Sequence, residues 1–203
     1  MTGRSIKNKR MAPRTSAQFE AIRQGRRDEI LDAALHVFAE AGYHTSSVSQ
    51  VAKRAGVSKG LMYNYFSSKE EVLRTLIFDL FDYAMGRMKI KPDEVIDDAR
   101  FAEIIELSVQ IPMDEPQRWK LYMSLAFQKD VTEMLMKEMM GRMGPYIQSI
   151  SQYFISKGYE DPMAMMRIFS AVLDGVQMHC LLDPENFPAE KATEYLKDQF
   201  VRK

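Results

Sequence analysis

A single cysteine, Cys180, leaves the chain without the means for an intrachain disulfide, and three histidines, His36, His44 and His179, leave it poor in metal ligands. The first scarcity fits a reducing cytoplasm. As to the second, no histidine has another histidine or a cysteine at ligand spacing, except the adjacent His179-Cys180 pair. Neighbours on a helix point about 100° apart, so that pair is poorly placed to chelate one ion. A phosphate-cradling loop and a dinucleotide fingerprint are missing as well. No catalytic residue, cofactor or metal is therefore expected, and the chain does not read as an enzyme. A helical enzyme or carrier would need a convergent acid–base or metal set, and the sequence offers none.

Uninterrupted apolar runs are also missing. The basic N-terminus passes into Thr15-Ser16-Ala17-Gln18-Phe19-Glu20 without the apolar centre of a secretory signal, so a cytoplasmic location is expected. The most apolar stretch, Met163 to Leu182, holds Arg167, Asp174 and His179. A central charge costs roughly 2.5–3.5 kcal/mol on membrane insertion, so a buried interface helix is expected there rather than a membrane span.

What is present is unevenly charged. Lys+Arg and Asp+Glu balance at 28 each, yet residues 1–74 hold 13 basic and 7 acidic side chains. The excess of positive charge in the first third, and of negative charge in the rest, implies a basic module for a polyanion joined to an acidic module with another task. Residues 1–15 read as a flexible basic arm carrying Arg4, Lys7, Lys9, Arg10 and Arg14.

From Ser16 to Ala41, Phe19, Ile22, Ile30, Ala33, Ala34, Val37 and Phe38 recur at helical spacing, and Gly42 supplies a stop. Ser47, three residues before Gln50, opens a short helix through Ala55. Gly56-Val57 makes a turn, Ser58 caps a second short helix ending near Phe66, and Ser68, three before Glu71, starts a long helix reaching Met88. Pro92, Pro112, Pro116, Pro145, Pro162, Pro184 and Pro188 punctuate the remainder. Helices are expected near Asp98–Ile111, Pro116–Phe127, Val131–Lys157, Pro162–Leu182 and Pro188–Arg202, with Pro145 kinking or splitting the long one. The fold expected is all-α: a flexible arm over 1–15, a helix-turn-helix domain over 16–70 with its motif at about 48–67, and a larger helical domain over 71–203.

The run from Val48 to Phe66 carries the functional reading. Two steeply crossing helices need a small residue where they touch, and Ala52 provides it; the turn needs a backbone tolerant of positive φ, and Gly56 provides that. Val51, Ala55, Val57, Met62 and Phe66 then form an inward face, while Lys59, Gly60, Tyr63 and Asn64 face outward. Ser47 and Ser58 place hydroxyls and free N–H groups at helix N-termini, which favour phosphate. Lys59 supplies charge or a guanine contact, and Gly60 removes a side chain where the helix must approach the duplex. Tyr63 and Tyr65 can donate to phosphate oxygens or pack on thymine methyls. Gly56-Val57-Ser58-Lys59-Gly60 also matches the G-x-S-x-G nucleophile elbow, but that motif needs a strand before its serine, and a helix precedes this one.

The segment from Arg27 to Leu73, with Ile30-Leu31-Asp32-Ala33-Ala34, Gly42-Tyr43, Ala55-Gly56-Val57-Ser58-Lys59-Gly60, Tyr63-Asn64-Tyr65-Phe66 and Ser68-Lys69-Glu70, resembles the N-terminal domain of tetracycline-repressor (TetR) family regulators. Leu173 to Pro184 resembles, less closely, the dimerisation helix of many members. The resemblance implies a homodimer that binds a near-palindromic operator, usually as a repressor released by a ligand. It implies DNA contacts by Ser47, Ser58, Lys59, Gly60, Tyr63, Tyr65 and Lys69.

Sixteen methionines, most of them after residue 80, adapt to irregular apolar shapes. With the aromatic residues they point to a small apolar or aromatic effector, and Phe81, Met85, Phe101, Trp119, Tyr122, Met123, Phe127 and Met178 are its candidate pocket. Ile168, Phe169, Val172, Val176, Leu181, Tyr195, Leu196 and Phe200, at helical spacing on the last two helices, are the candidate dimer surface. The alternative is a helical DNA-binding protein with no effector.

Overall fold

A computed structural model of the protein describes residues 15–91, 94–126 and 129–202, apart from the side chains of 126, 129, 130 and 132. The expected basic arm falls almost wholly on residues 1–14 and, like Pro92 and Phe127, lies outside the described residues. Among the described residues every regular element is a helix: α1 (Ser16–Ala41), α2 (Val48–Arg54), α3 (Lys59–Tyr63), α4 (Lys69–Met88), α5 (Asp98–Asp114), α6 (Pro116–Ala126), α7 (Lys129–Ser156), α8 (Pro162–Leu182) and α9 (Ala189–Phe200).

Local chemistry sets the first four starts. Thr15 Oγ1 accepts the Gln18 N–H at 3.3 Å while Gln18 Oε1 accepts the Thr15 N–H at 3.0 Å, a closed capping box one residue before α1. Ser47 and Gln50 repeat the arrangement before α2. Ser58 Oγ accepts from Leu61 N at 3.0 Å, and Ser68 Oγ from Glu71 N at 3.1 Å. Each cap satisfies a donor that a helix start would otherwise leave open, worth about 1 kcal/mol. Gly56, at φ +65°, turns the chain between α2 and α3 in a conformation that an L side chain rarely adopts.

Prolines interrupt less than their number implies. Pro112 lies inside α5, which runs on to Asp114 instead of ending at Ile111. Its missing N–H leaves the Ser108 carbonyl without a helical donor, and Gln177 Nε2, from α8, donates to that carbonyl at 2.8 Å. Pro145 likewise sits within α7, which continues as one helix through it.

Two cores result. The first joins Ile30, Ala34, Phe38, Val51, Met62, Phe66, Leu73 and Ile77 to Leu121 and Leu125 of α6 and Val131 and Leu135 of α7. A boundary at residue 70 therefore does not divide the packing, because α6 and the start of α7 complete the core of the helix-turn-helix module. The second core gathers α5, the end of α7, α8 and α9 around Phe101, Phe154, Phe169 and Phe200. Phe101 stacks on Tyr153 with centroids 4.1 Å apart, and Phe169 meets Phe200 edge-on at 5.1 Å. Each such ring contributes roughly 1.5–3 kcal/mol of burial. On α1, burial begins only at Ile30; Phe19 and Ile22, expected on an apolar face, stay exposed. No helix among the described residues is long and apolar enough to cross a membrane.

Candidate nucleic-acid interface and effector chamber

The helix-turn-helix corner has the facing that its sequence predicts. Val51, Met62 and Phe66 are buried, and Ala55 and Val57 pack half-buried against them. This anchors α3 so that Lys59, Gly60, Tyr63 and Asn64 stand exposed on the opposite side. A Cβ built on Gly60 would meet nothing nearer than Ser58 Oγ at 4.0 Å, so packing within the chain does not require glycine there. Ser47 and Ser58 are exposed, and their hydroxyls are occupied as helix caps. That Ser58 hydroxyl is engaged on α3's own backbone, with a helix before it, so nothing of a nucleophile elbow is formed.

Two of the candidate DNA contacts sit differently. Tyr65 is half-buried against the first core. Lys69 Nζ donates to the carbonyls of Tyr43 at 2.9 Å, Ser46 at 3.0 Å and His44 at 3.4 Å, and lies over the Tyr43 ring. It binds the α1–α2 connection to the start of α4. At that start Glu70 and Glu71 are held below the usual carboxylate range, Glu70 first by hydrogen bonding to its backbone and Glu71 first by the Ser67 hydroxyl, 2.6 Å from its Oε2.

Between the two cores lies a chamber of about 220 Å³, walled by α4, α5, α6, α7 and α8. Of the candidate pocket residues, Phe81, Met85, Trp119 and Tyr122 line it. Phe101 does not: it is fully buried within the second core. Met123 and Met178 are half-buried elsewhere, and Phe127 lies outside the described residues. Lining residues the sequence reading missed include Met88, Met139, Met143, Tyr146, Asp174 and Gln177. Helical spacing alone did not mark these faces, although Asp174 stood out as a lone acid in the most apolar stretch. A smaller space of about 150 Å³ adjoins, sharing Ile77, Tyr122 and Met139.

The chamber's polar groups are few. The Trp119 ring meets Tyr122 edge-on, centroids 5.6 Å apart at 79°, and its Nε1 is buried with no acceptor among the described residues. Burial pushes the Tyr122 hydroxyl up from its ordinary value, and the charge of Asp174 adds to this. Asp174 itself is pushed up by loss of water around its carboxyl, though the side chain still reaches solvent at the chamber's rim.

The candidate dimer surface divides. Phe169, Leu181, Leu196 and Phe200 are buried within this protomer, so they are not available to a partner. The reason is that α8 and α9 turn one apolar face onto α5 and α7. Ile168, Val172 and Tyr195 remain exposed, and Val176 is half-buried. Among the described residues no group of three or more His, Cys, Asp or Glu side chains is placed to hold a metal.

Known proteins share this fold. Residues 30–76 match the model of the family described as bacterial regulatory proteins, tetR family. The chain is similar to the fatty acid metabolism regulator protein of Bacillus subtilis, 46% identical over 61 residues, covering 30% of this chain and 31% of that protein. The chain thus spans under a third of that relative's length. It is also similar to the HTH-type transcriptional regulator BetI of Vibrio vulnificus, 26% identical over 191 residues, covering 87% of this chain and 93% of that one. The fold matches the crystal structure of a tetR family transcription regulator from Shewanella sp. PV-4 with a TM-score of 0.73 and 18% identity, over 87% of this chain and 96% of that chain.

Proposed function

We propose that this chain is a member of the tetR family of bacterial regulatory proteins, a homodimeric repressor whose operator is released when a small apolar molecule enters the chamber. The observation that carries the reading is the double facing of α6. Leu121 and Leu125 belong to the core that α6 shares with α1, while Trp119 and Tyr122, on the same three turns, form a wall of the chamber. α1 packs in turn on α2 of the helix-turn-helix. A molecule that displaces the Trp119–Tyr122 wall therefore acts on the helix that seats the DNA module.

The DNA-facing group in this reading is Lys59, Gly60 and Tyr63, with the N-termini of α2 and α3 at Ser47 and Ser58 placed for phosphate. Tyr65 and Lys69 support these from behind. The exposed apolar strip of Ile168, Val172 and Tyr195 suits a second copy of the chain. Two-fold pairing would then set two α3 helices about one turn of DNA apart, roughly 34–36 Å. The name of the Bacillus relative carries no effector to this chain, because the 61 matched residues are too few to include both the DNA-binding segment and the chamber.

The test joins both halves. Bound duplex is selected from a random pool, and compounds are then titrated against the fluorescence of Trp119, the chain's one tryptophan, with and without that duplex. A ligand shifts DNA binding only by its differential affinity for the two forms. Coupling of about 1–3 kcal/mol would change operator affinity about 5–150-fold, and saturating operator must weaken the ligand by the same factor. Ligands bound with an affinity indifferent to operator would overturn the switch.

A further inference from the structure

Resting on the reading of the chamber as an effector site, its walls also specify charge. Asp174 is the one charged residue among the described residues that line it. Among the described residues no lysine or arginine lines it to receive a carboxylate or phosphate. Among the described residues Asp174 has no hydrogen bond and no ion pair, and loss of water is what raises its carboxyl. Asp174 is exposed at the chamber's rim, where its carboxylate sets a negative charge beside an otherwise apolar lining. A bound molecule that brings a positive charge meets it there.

The surroundings suit such a charge. Trp119 and Tyr122 stand at 79° to one another, a corner of two aromatic rings, and the Tyr122 hydroxyl feels the Asp174 charge directly. Aromatic faces attract cations whose charge is spread over carbon, and they do so without demanding a hydrogen bond. Met85, Met139 and Met143 give the remaining space polarizable, adaptable walls for an apolar body. We propose that the effector is a lipophilic cation, a protonated amine or quaternary ammonium on an aromatic or aliphatic body, with its positive group at Asp174 beside the Trp119–Tyr122 corner.

The experiment separates charge from shape. Phenyltrimethylammonium and tert-butylbenzene have nearly the same shape and differ by one positive charge; 3-phenylpropanoate adds the opposite sign. Each is titrated calorimetrically into the full-length protein, and each is tested for release of the selected operator. The expected result is that phenyltrimethylammonium binds at least tenfold more tightly than tert-butylbenzene and that the anion does not bind. Asp174→Asn should abolish that preference while changing tert-butylbenzene affinity less than twofold, which also shows that the variant's chamber is intact. Asp174→Glu should keep the preference. Equal affinity for the cation and its neutral counterpart, a preference that survives Asp174→Asn, tighter binding of the anion, or binding of none of the three would each overturn the proposal. Operator release by tert-butylbenzene without a charge preference would sink the cation and leave the effector reading standing. An Asp174-dependent cation that leaves operator affinity unchanged would do the reverse.

Discussion

The ammonium of Lys69 donates to the Tyr43 carbonyl at 2.9 Å and lies 4.3 Å from the centre of the Tyr43 ring. With its bonds to Ser46 and His44, this makes Lys69 a tie between the start of α4 and the loop that leads into Ser47, the cap of α2. Lys69→Met keeps the stem and removes the donors. Hydrogen bonds to a charged group contribute about 1.5–3 kcal/mol, so the variant should lose about that much stability in a urea titration as well as operator affinity. Lys59→Ala, at an exposed position, should lose affinity with stability unchanged within about 0.5 kcal/mol. If Lys69→Met loses affinity alone, the ammonium serves a phosphate and not the loop.

Gly60 gives a sharper test of the α3 face. Space around a Cβ there is open, and glycine inside a helix costs roughly 0.5–1 kcal/mol relative to alanine. Gly60→Ala should therefore raise the melting temperature slightly while weakening operator binding, because the added methyl meets the duplex. A variant that is more stable and binds as tightly as wild type would show that DNA does not approach this side of α3.

The capped starts of α2, α3 and α4 were legible because Ser47, Ser58 and Ser68 act on donors within three residues of themselves. Pro112 was not, since what permits a proline inside α5 is the amide of Gln177, far along the chain. Period alone likewise does not say whether an apolar face meets its own chain or a partner. Phe169 and Ile168 are adjacent in sequence, yet one is in the core and the other faces out. The chamber was half legible for the same reason: methionine and aromatic content announced it, but which rings faced inward depended on how α6 and α7 pack. Asp174 read as a charge that argued against a membrane span, and its placement at the chamber's rim emerges only when α8 is set against α6.

Exposed Ile168 and Val172 lie one turn apart on α8. In the proposed dimer, Ile168→Glu with Val172→Lys should leave a monomer by light scattering, with operator affinity lowered at least tenfold, because two half-sites are no longer held together. Both side chains are exposed in the protomer, so its helical content should be kept. A double variant that remains dimeric would move the interface elsewhere; Tyr195 on α9, also exposed, is the next surface to change.

At the other end of the molecule, Asp98 Oδ1 accepts the Tyr153 hydroxyl at 2.9 Å and Lys157 Nζ at 3.1 Å, while Lys157 also donates to the Val201 carbonyl at 2.8 Å. The group joins the start of α5, the end of α7 and the residue after α9. Hydrogen bonding from Tyr153, then from Lys157, holds the Asp98 carboxyl below its ordinary value of 3.8. Burial, and then Asp98, pushes the Tyr153 hydroxyl far up, so at neutral pH it stays a donor. A carboxyl with a lowered value in the folded state binds its proton more readily when unfolded. Its stabilisation is therefore complete well above 3.8 and fades as pH falls through and below that value. Because Asp98 is largely exposed, water screens much of the interaction. Asp98→Asn should accordingly lower the melting temperature at pH 7 by only about 2–4 °C, the shift that about 1 kcal/mol gives a domain of this size. The gap between wild type and variant should narrow in urea titrations carried from pH 7 to pH 3. A gap of constant size over that range would mean that the asparagine perturbs packing at the α5 start, and that the ionised carboxylate is not what joins the three helices.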